Sequence, residues 1–374
     1  MPYTVYSMKQ MISQQSMKRI AIIGTQGVPA AYGGFETLVE NLIGDNCPDD
    51  IEYTVFCSRP ESKTHPATYK GARLRYVSLS SHGVQSIPYD ILSMLKALGG
   101  YDVVMVLGTS GCSFLPIFRL LNRKRLIINI DGLEHRRDKW GSAARALLRF
   151  SERMAVRYAD VVVADNQGIV DYVEETYGKH PALIAYGGDH ALRSVDDAQR
   201  RAVLDRYGVK EGEFAVSVCR IEPENNCHVV LEAFARPECD VPLVFIGNWD
   251  RSDYGRRLKE RYSDVGNIHI CDPEYDLDTL CALRSSARCY IHGHSAGGTN
   301  PSLVEAMFAG RPVIACDVVY NRATTCGEAS YFHDAPSLLR QLECIDAVDG
   351  SRMLALAREH YTWKHIAGQY AALY

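Results

Sequence analysis

What this chain lacks narrows its function first. It has 12 cysteines, yet no Cys-x-x-Cys pair and no Cys/His cluster with zinc spacing. That excludes a zinc ribbon and a thioredoxin-like redox centre, and free thiols in a reducing compartment are the simplest reading. Long apolar runs are missing as well: no stretch reaches the roughly 18 residues a membrane span needs. The first 16 residues are polar, without the apolar core of a secretory signal, and read as a flexible leader before a start at Met17. One-sided charge is also absent. The 41 Lys and Arg against 45 Asp and Glu leave a net charge of −4, which gives no global attraction for nucleic acid. Finally, no Gly-Lys-Ser/Thr closes a glycine loop. No Gly-x-Gly-x-x-Gly is followed by an acid about 20 residues on, so a P-loop enzyme and a dehydrogenase are disfavoured.

What is present is an ordinary globular composition, 47% hydrophobic and 23% charged, in 374 residues, a length for two domains. Residues 18–23, KRIAII, form an apolar run without alternation, as in a parallel strand buried on both faces. A Gly24-Thr25-Gln26-Gly27 turn, a second turn at Tyr32-Gly33-Gly34 and a helix from about Phe35 to Ile43 follow. Further strands are predicted over 53–58, 73–79, 101–108, 125–132, 159–166 and 181–188, with helices over 86–99 and 139–158. The charged stretch 188–200 has no apolar period and reads as a break. The alternation then restarts, with strands over 214–221, 242–248, 267–272, 289–294 and 312–318 and helices between them. A closing helical segment bends near Tyr361. Strands alternating with helices predict two parallel-sheet units, with ligand bound in a cleft at the carboxyl ends of both sheets.

The most informative segment is Gly297-Gly298-Thr299-Asn300-Pro301-Ser302-Leu303-Val304-Glu305, between an apolar strand and a helix. A glycine- and hydroxyl-rich loop at a helix start offers unpaired N–H groups and a positive dipole end to a phosphate. An acid one turn further, Glu305, is better suited to neutral polyol hydroxyls such as a ribose. Arg220, at the end of a strand, suits a diphosphate; a surface pair with Glu222 or Glu224 is the alternative. The 24–27 turn reads either as a plain strand-to-helix turn or as backbone approaching a diphosphate. Asp131, Glu134 and His135 end another strand and can orient sugar hydroxyls or accept a proton, or simply cap a helix and meet solvent. His292-Gly293-His294 reads as a strand end, in preference to a metal pair. Basic residues beside apolar ones over 119–125 and 135–157 suit either an anionic membrane or solvent.

These residues together resemble the GT-B glycosyltransferases of family 4, the retaining nucleotide-sugar enzymes, over nearly the whole length from Met17. Within that family the chain is most similar to bacterial polysaccharide rhamnosyltransferases, whose first half opens with a GTxGxPAxYGGFETxVExL block. Here that block reads GTQGVPAAYGGFETLVENL. NIDGLEHRRDKW, CRIEPENN, HSAGGTNPSLVEAM and YTWKHIAGQYAALY also look like that group. Two departures stand out. Family 4 usually has two glutamates eight positions apart, but Gly297 stands where the first would be, and the usual lysine partner of the diphosphate arginine is absent.

The resemblance implies an α/β GT-B fold of two doubly wound Rossmann-like domains facing a central cleft. An acceptor domain is expected over 17–188 and a donor domain over 189–360, with the helix 361–374 packing back on the first. It implies transfer of L-rhamnose from dTDP-L-rhamnose to a saccharide, lipid-linked, in cell-surface polysaccharide synthesis, in the cytoplasm or on the inner membrane face. No cofactor, metal or nucleic acid is expected, since no Asp-x-Asp stands at a divalent-cation site. Asp131, Glu134, His135 and Arg220 take catalytic roles. Gly24, Gly27, Arg220, Asn225, Asn226, Pro273, Tyr275, Gly297, Gly298, Thr299, Asn300 and Glu305 hold the donor. Tyr32, Gly33, Gly34, Phe35 and Glu36 hold the acceptor. The alternatives are another donor (GDP-mannose or a UDP-hexose), an epimerase or phosphorylase of the same fold, and a non-catalytic nucleotide-sugar binder.

Overall fold

The computed structural model describes residues 17–30, 33–130, 132 and 141–374. The expected leader 1–16 and the site candidates Tyr32, Asp131, Glu134 and His135 lie outside these residues.

The first eight strands are β1 (Lys18–Ile23), β2 (Ile51–Ser58), β3 (Thr68–Tyr69), β4 (Ala72–Val77), β5 (Val103–Leu107), β6 (Arg125–Ile130), β7 (Val161–Ala164) and β8 (Ala182–Leu183). They form one sheet in the order β3-β4-β2-β1-β5-β6-β7-β8. Every pairing is parallel except β3 with β4. A second sheet holds β9 (Ala215–Val218), β10 (Leu243–Ile246), β11 (Ile268–Cys271), β12 (Cys289–His292), β13 (Val313–Cys316) and β14 (Ser330–Phe332). Its order is β11-β10-β9-β12-β13-β14, all parallel. In each sheet the chain moves outward one way from the first strand, then crosses and moves outward the other way. This is the doubly wound pattern, and its switch point opens a crevice at the strands' carboxyl ends.

The central strands carry Ile, Val, Met and Leu without alternation because helices cover both faces. All five residues of β5 are buried. One face of the first sheet packs Leu38, Leu42 and Tyr186, and the other packs Tyr89, Phe118 and Ile169. The second sheet is likewise covered on one side by Leu231, Phe234 and Leu338 and on the other by Leu283, Leu303 and Met307.

The closing segment forms two helices, Ser351–His360 and Trp363–Ala372. Trp363, Ile366, Ala367 and Tyr370 of the second enter the core of the first sheet. The Tyr370 hydroxyl accepts from Asn129 Nδ2 at 2.6 Å, and Tyr53 Oη donates to Tyr374 Oη at 3.1 Å. The chain therefore crosses between the sheets twice, and the crossings lie side by side. Gly188 N donates to Tyr361 O at 2.9 Å, and Trp363 N to Asp189 Oδ1 at 2.8 Å. A Cβ on Gly187 would lie 2.5 Å from the Trp363 ring, so only glycine lets the two crossing segments touch there.

Two sequence expectations are corrected. Of 181–188 only Ala182 and Leu183 pair as a strand. The break at 188–200 contains the start of a helix, Asp197–Tyr207, opened by a capping box between Asp196 and Gln199. Its single buried residue is Leu204, so it had no apolar period to detect.

Candidate active site

The site begins at the end of β1. Gly24 has φ of +90° and Gly27 has φ of +121°. A Cβ on Gly24 would overlap the Leu107 carbonyl, and one on Gly27 would sit 2.7 Å from Cys57 Sγ. Both glycines are needed for the turn to lie flat on β5 and β2. The turn is braced from above by Glu36, in the first turn of the helix Gly34–Leu42. Glu36 Oε1 accepts from Thr25 Oγ1 at 2.9 Å and Gln26 N at 2.8 Å. From below, the buried Tyr89 hydroxyl donates to Thr25 O at 2.8 Å. Glu36, expected to meet the acceptor, thus shapes the loop. Gly33 has φ of +133° and Gly34 packs on Tyr186, while Phe35 is partly buried beside Gly108.

On the opposite side, Arg220 follows β9, and its guanidinium is only loosely paired with Glu222, at 3.8 Å. Asn225 Nδ2 donates to Arg220 O at 2.7 Å, and Asn226 Nδ2 to Gly293 O at 2.9 Å. Both amides, expected on the donor, are engaged within the protein: Asn225 closes its own loop, and Asn226 laces that loop to the one after β12. Ser295 completes the lacing, its Oγ donating to Glu224 O at 2.8 Å. His292 ends β12 and His294 follows it, their near-parallel rings 4.4 Å apart and both buried. Stacked rings do not aim their nitrogens at one point. Burial holds His292 down at about 3 and His294 well below the ordinary imidazole value. No group of three or more metal-ligating side chains occurs among the described residues.

The glycine-rich loop lies against the carboxyl ends of β6 and β7. Gly297 has φ of +107°; among the described residues nothing lies within 4 Å of where its Cβ would stand, and a Cβ on Gly132 would lie 3.8 Å from its Cα. A Cβ on Gly298 would strike the Asp165 carboxylate. Thr299 N donates to Asp165 Oδ2 at 3.0 Å, and Thr299 Oγ1 to Asp165 O. This corrects the expectation for Thr299: its amide is held by a carboxylate of the other domain, not turned to an anion. Asn166, next to Asp165, donates from Nδ2 to Tyr320 O at 3.1 Å and Thr324 Oγ1 at 3.2 Å. The sequence reading missed both residues because a strand end carries no spacing signal for a partner 134 positions away.

The helix Pro301–Phe308 starts at this loop, with Asn300 as N-cap and Pro301 in its first turn. One turn in, Glu305 Oε2 accepts from Arg284 Nη2 at 2.7 Å, and its Oε1 lies 3.4 Å from His190 Nε2. Trp363 Nε1 donates to His190 Nδ1 at 2.9 Å, which places the imidazole proton on Nε2, facing Glu305. Burial works against the charged carboxylate, but Arg284 and His190 outweigh it and hold Glu305 below the usual carboxylate range. Arg284, His190 and Trp363 were not legible in advance. Pro273 is half-buried, and Tyr275 is exposed after β11. Asp276 and Asp278 do have Asp-x-Asp spacing. However, Asp276 accepts from Thr279 N as a helix cap and Asp278 pairs with Arg193 at 2.8 Å.

The loop after β12 thus meets those after β6, β7 and β9, all at the carboxyl ends of their strands. Residues 17–189 match the family model described as a domain of unknown function, DUF1972, and residues 202–332 match that of the glycosyl transferases group 1. Residues 202–332 are the part similar to group 1 glycosyltransferases, and the chain has a GT-B fold. Similar solved structures span both domains. A sucrose-phosphate synthase from Thermosynechococcus elongatus gives a TM-score of 0.80 at 18% identity, covering 96% of this chain and 98% of its own. Anabaena HepE, solved with UDP-glucose, gives 0.71 at 16% identity, over 95% and 98%. A glycosyltransferase from Rickettsia africae gives 0.70 at 11%, over 95% and 97%. No curated protein matches the chain.

Proposed function

We propose that this glycosyltransferase moves L-rhamnose, with retention, from dTDP-L-rhamnose to a lipid-linked saccharide in cell-surface polysaccharide synthesis. The observation that carries the donor choice is Gly297. It carries no side chain where family relatives place a glutamate, and no described residue fills that position. A 6-deoxy sugar has one hydroxyl fewer to satisfy, so a pocket short of one polar side chain suits it. Arg220 and the start of the helix Pro301–Phe308 stabilise the leaving diphosphate as its charge develops, so no metal is needed for that task. Glu305, pre-aligned by Arg284 and His190, takes the ribose hydroxyls. The bond from the anomeric carbon to the diphosphate oxygen breaks, the acceptor oxygen bonds to that carbon on the same face, and its proton passes to the departing diphosphate. Asp131, Glu134, His135 and the loops at 24–36 serve the acceptor side. Contact between the loops at 297–299 and Asp165 excludes water from the reacting centre.

The HepE structures with UDP and UDP-glucose favour a second reading, a UDP-hexose donor. A thermal-shift panel of dTDP, UDP, GDP and ADP with the matching sugars separates the two, because a ligand bound to the folded state raises the melting temperature. A shift with dTDP and dTDP-rhamnose alone supports rhamnosyl transfer, and a chelator leaves the shift unchanged. A shift with UDP and UDP-glucose replaces the donor, and no shift with any overturns catalysis.

A further inference from the structure

The helix Leu115–Leu121 exposes apolar side chains that a soluble surface has no use for. Leu120 is 84% exposed, Leu121 59% and Ile117 53%. The neighbouring helix Ser142–Tyr158 adds Phe150 at 49% and Leu147 at 45%. The two helices pack side by side: Ser113 N donates to Ser151 Oγ at 2.9 Å, and Arg119 Nε to Tyr158 O at 2.9 Å. The apolar residues therefore share one flank of the first domain. Scattered exposed leucines are ordinary, but a cluster on adjoining helices is not.

The charge around this flank has one sign. Arg123 and Lys124 follow the shorter helix, and Arg149, Arg153 and Arg157 repeat every four residues along the longer one, all exposed. Over 115–125 there is no acid, and over 142–158 the single acid is Glu152. Glu152 is buried and accepts from Tyr172 at 2.8 Å and Tyr177 at 2.7 Å. Nearby Asp160 is taken by Arg119 at 2.6 Å. No acid remains exposed on these two helices to offset the arginines. Among the described residues no helix is long and apolar enough to cross a membrane. An apolar stripe bordered by unopposed arginines is the pattern of a surface that lies on anionic lipid, side chains in the headgroup layer and guanidinium groups on phosphates.

We infer that the flank formed by Ile117, Leu120, Leu121, Leu147 and Phe150, with its arginine border, docks the enzyme on an anionic bilayer surface. The occupant follows from charge: a second copy of the same flank would set arginine against arginine, whereas anionic headgroups complement it. The flank runs along both helices, from Leu147 and Phe150 in the first half of Ser142–Tyr158 to Leu120 and Leu121, which lead into the start of β6 at Arg125. The inference deepens the reading of a lipid-linked acceptor, yet it is tested without donor or acceptor.

The test is co-sedimentation of the full chain with vesicles of phosphatidylcholine alone and with phosphatidylglycerol mixed in, at low and high salt. Binding at least tenfold tighter to the anionic vesicles, lost at high salt, is expected. Leu120→Glu with Phe150→Glu, and separately Arg149→Glu with Arg153→Glu, each reduce that binding at least tenfold with unchanged melting temperature. Equal binding to both vesicles, or none, overturns the inference. So does a dimer in analytical ultracentrifugation that Leu120→Glu dissociates, since the flank is then a contact between copies. If the vesicles bind as expected while the nucleotide panel shows no shift, the docking surface stands and the catalytic reading falls.

Discussion

Replacing Arg284 by Met should expose how much of the donor site rests on one ion pair. The Arg284 side chain is 3% exposed, and its Nη2 meets Glu305 at 2.7 Å. Methionine fills much of the same volume but leaves Glu305 in the protein with only His190 nearby. Breaking a buried pair from one side costs about 3–5 kcal/mol. Part of that is returned, because Arg284 Nε and Nη1 are buried without hydrogen-bond partners and are removed too. The lower end, about 3 kcal/mol, is therefore expected, roughly 6–12 °C in melting temperature for a domain of this size. Adding Glu305→Gln removes the stranded charge and should restore at least half of the loss. The pH dependence gives an independent sign. In the native protein Glu305 is held below its ordinary value, so its contribution is present at neutral pH and fades as pH falls through the folded-state value. In Arg284→Met burial acts nearly alone and favours the protonated acid, so the deficit should shrink between pH 7 and pH 5. Circular dichroism melts of the four proteins at both pH values decide the matter. A loss under about 1 kcal/mol, or a double variant no better than the single one, would refute this account of Glu305.

Gly298→Ala should push the Asp165 carboxylate aside and cost the Thr299 contact; a loss of about 1–3 kcal/mol is expected by thermal melting, with transfer rate falling at least tenfold. Glu36→Ala removes the brace on Thr25 and Gln26, and kcat/KM should fall while the melting temperature moves by less than that of Gly298→Ala. Asp90 is buried, and burial raises its carboxyl to about 7 despite the Gly111 amide that donates to it. Its folded value lies above its unfolded one, so stability should decline as pH rises from about 4 to about 7, by on the order of 4 kcal/mol. Asp90→Asn should flatten that decline in denaturant titrations at pH 5 and pH 7.5; an unchanged slope would count against it.

The sequence disclosed what depends on local pattern. Residues 18–23 were read to the residue because four consecutive buried apolar side chains leave no other assignment. The 24–27 turn and the start at Pro301 were legible because glycine at positive φ and proline at a first helical turn each have one use. What was lost depends on distance. Glu305 was visible, but nothing in a sequence joins it to Arg284, 21 residues earlier, or to Trp363 through His190. Asn225 and Asn226 are expected on the donor from the resemblance, the usual lysine being absent there; in the fold Asn225 closes its own loop on Arg220 O and Asn226 ties that loop to Gly293. Asp165 gave no sign at all, since a carboxylate after a strand reads as solvent-facing until the glycine loop is laid on it. The polar helix Asp197–Tyr207 was hidden by the absence of any apolar stripe.

The return of Trp363–Ala372 to the first sheet has a consequence for how the protein is made. Trp363, Ile366, Ala367 and Tyr370 plug the face that Leu38, Leu42 and Tyr53 built at the start of synthesis. On the ribosome that face stays uncovered while the whole second domain is translated. The half that emerges first is the half finished last, and a nascent chain stalled before Trp363 presents an open apolar seam to chaperones.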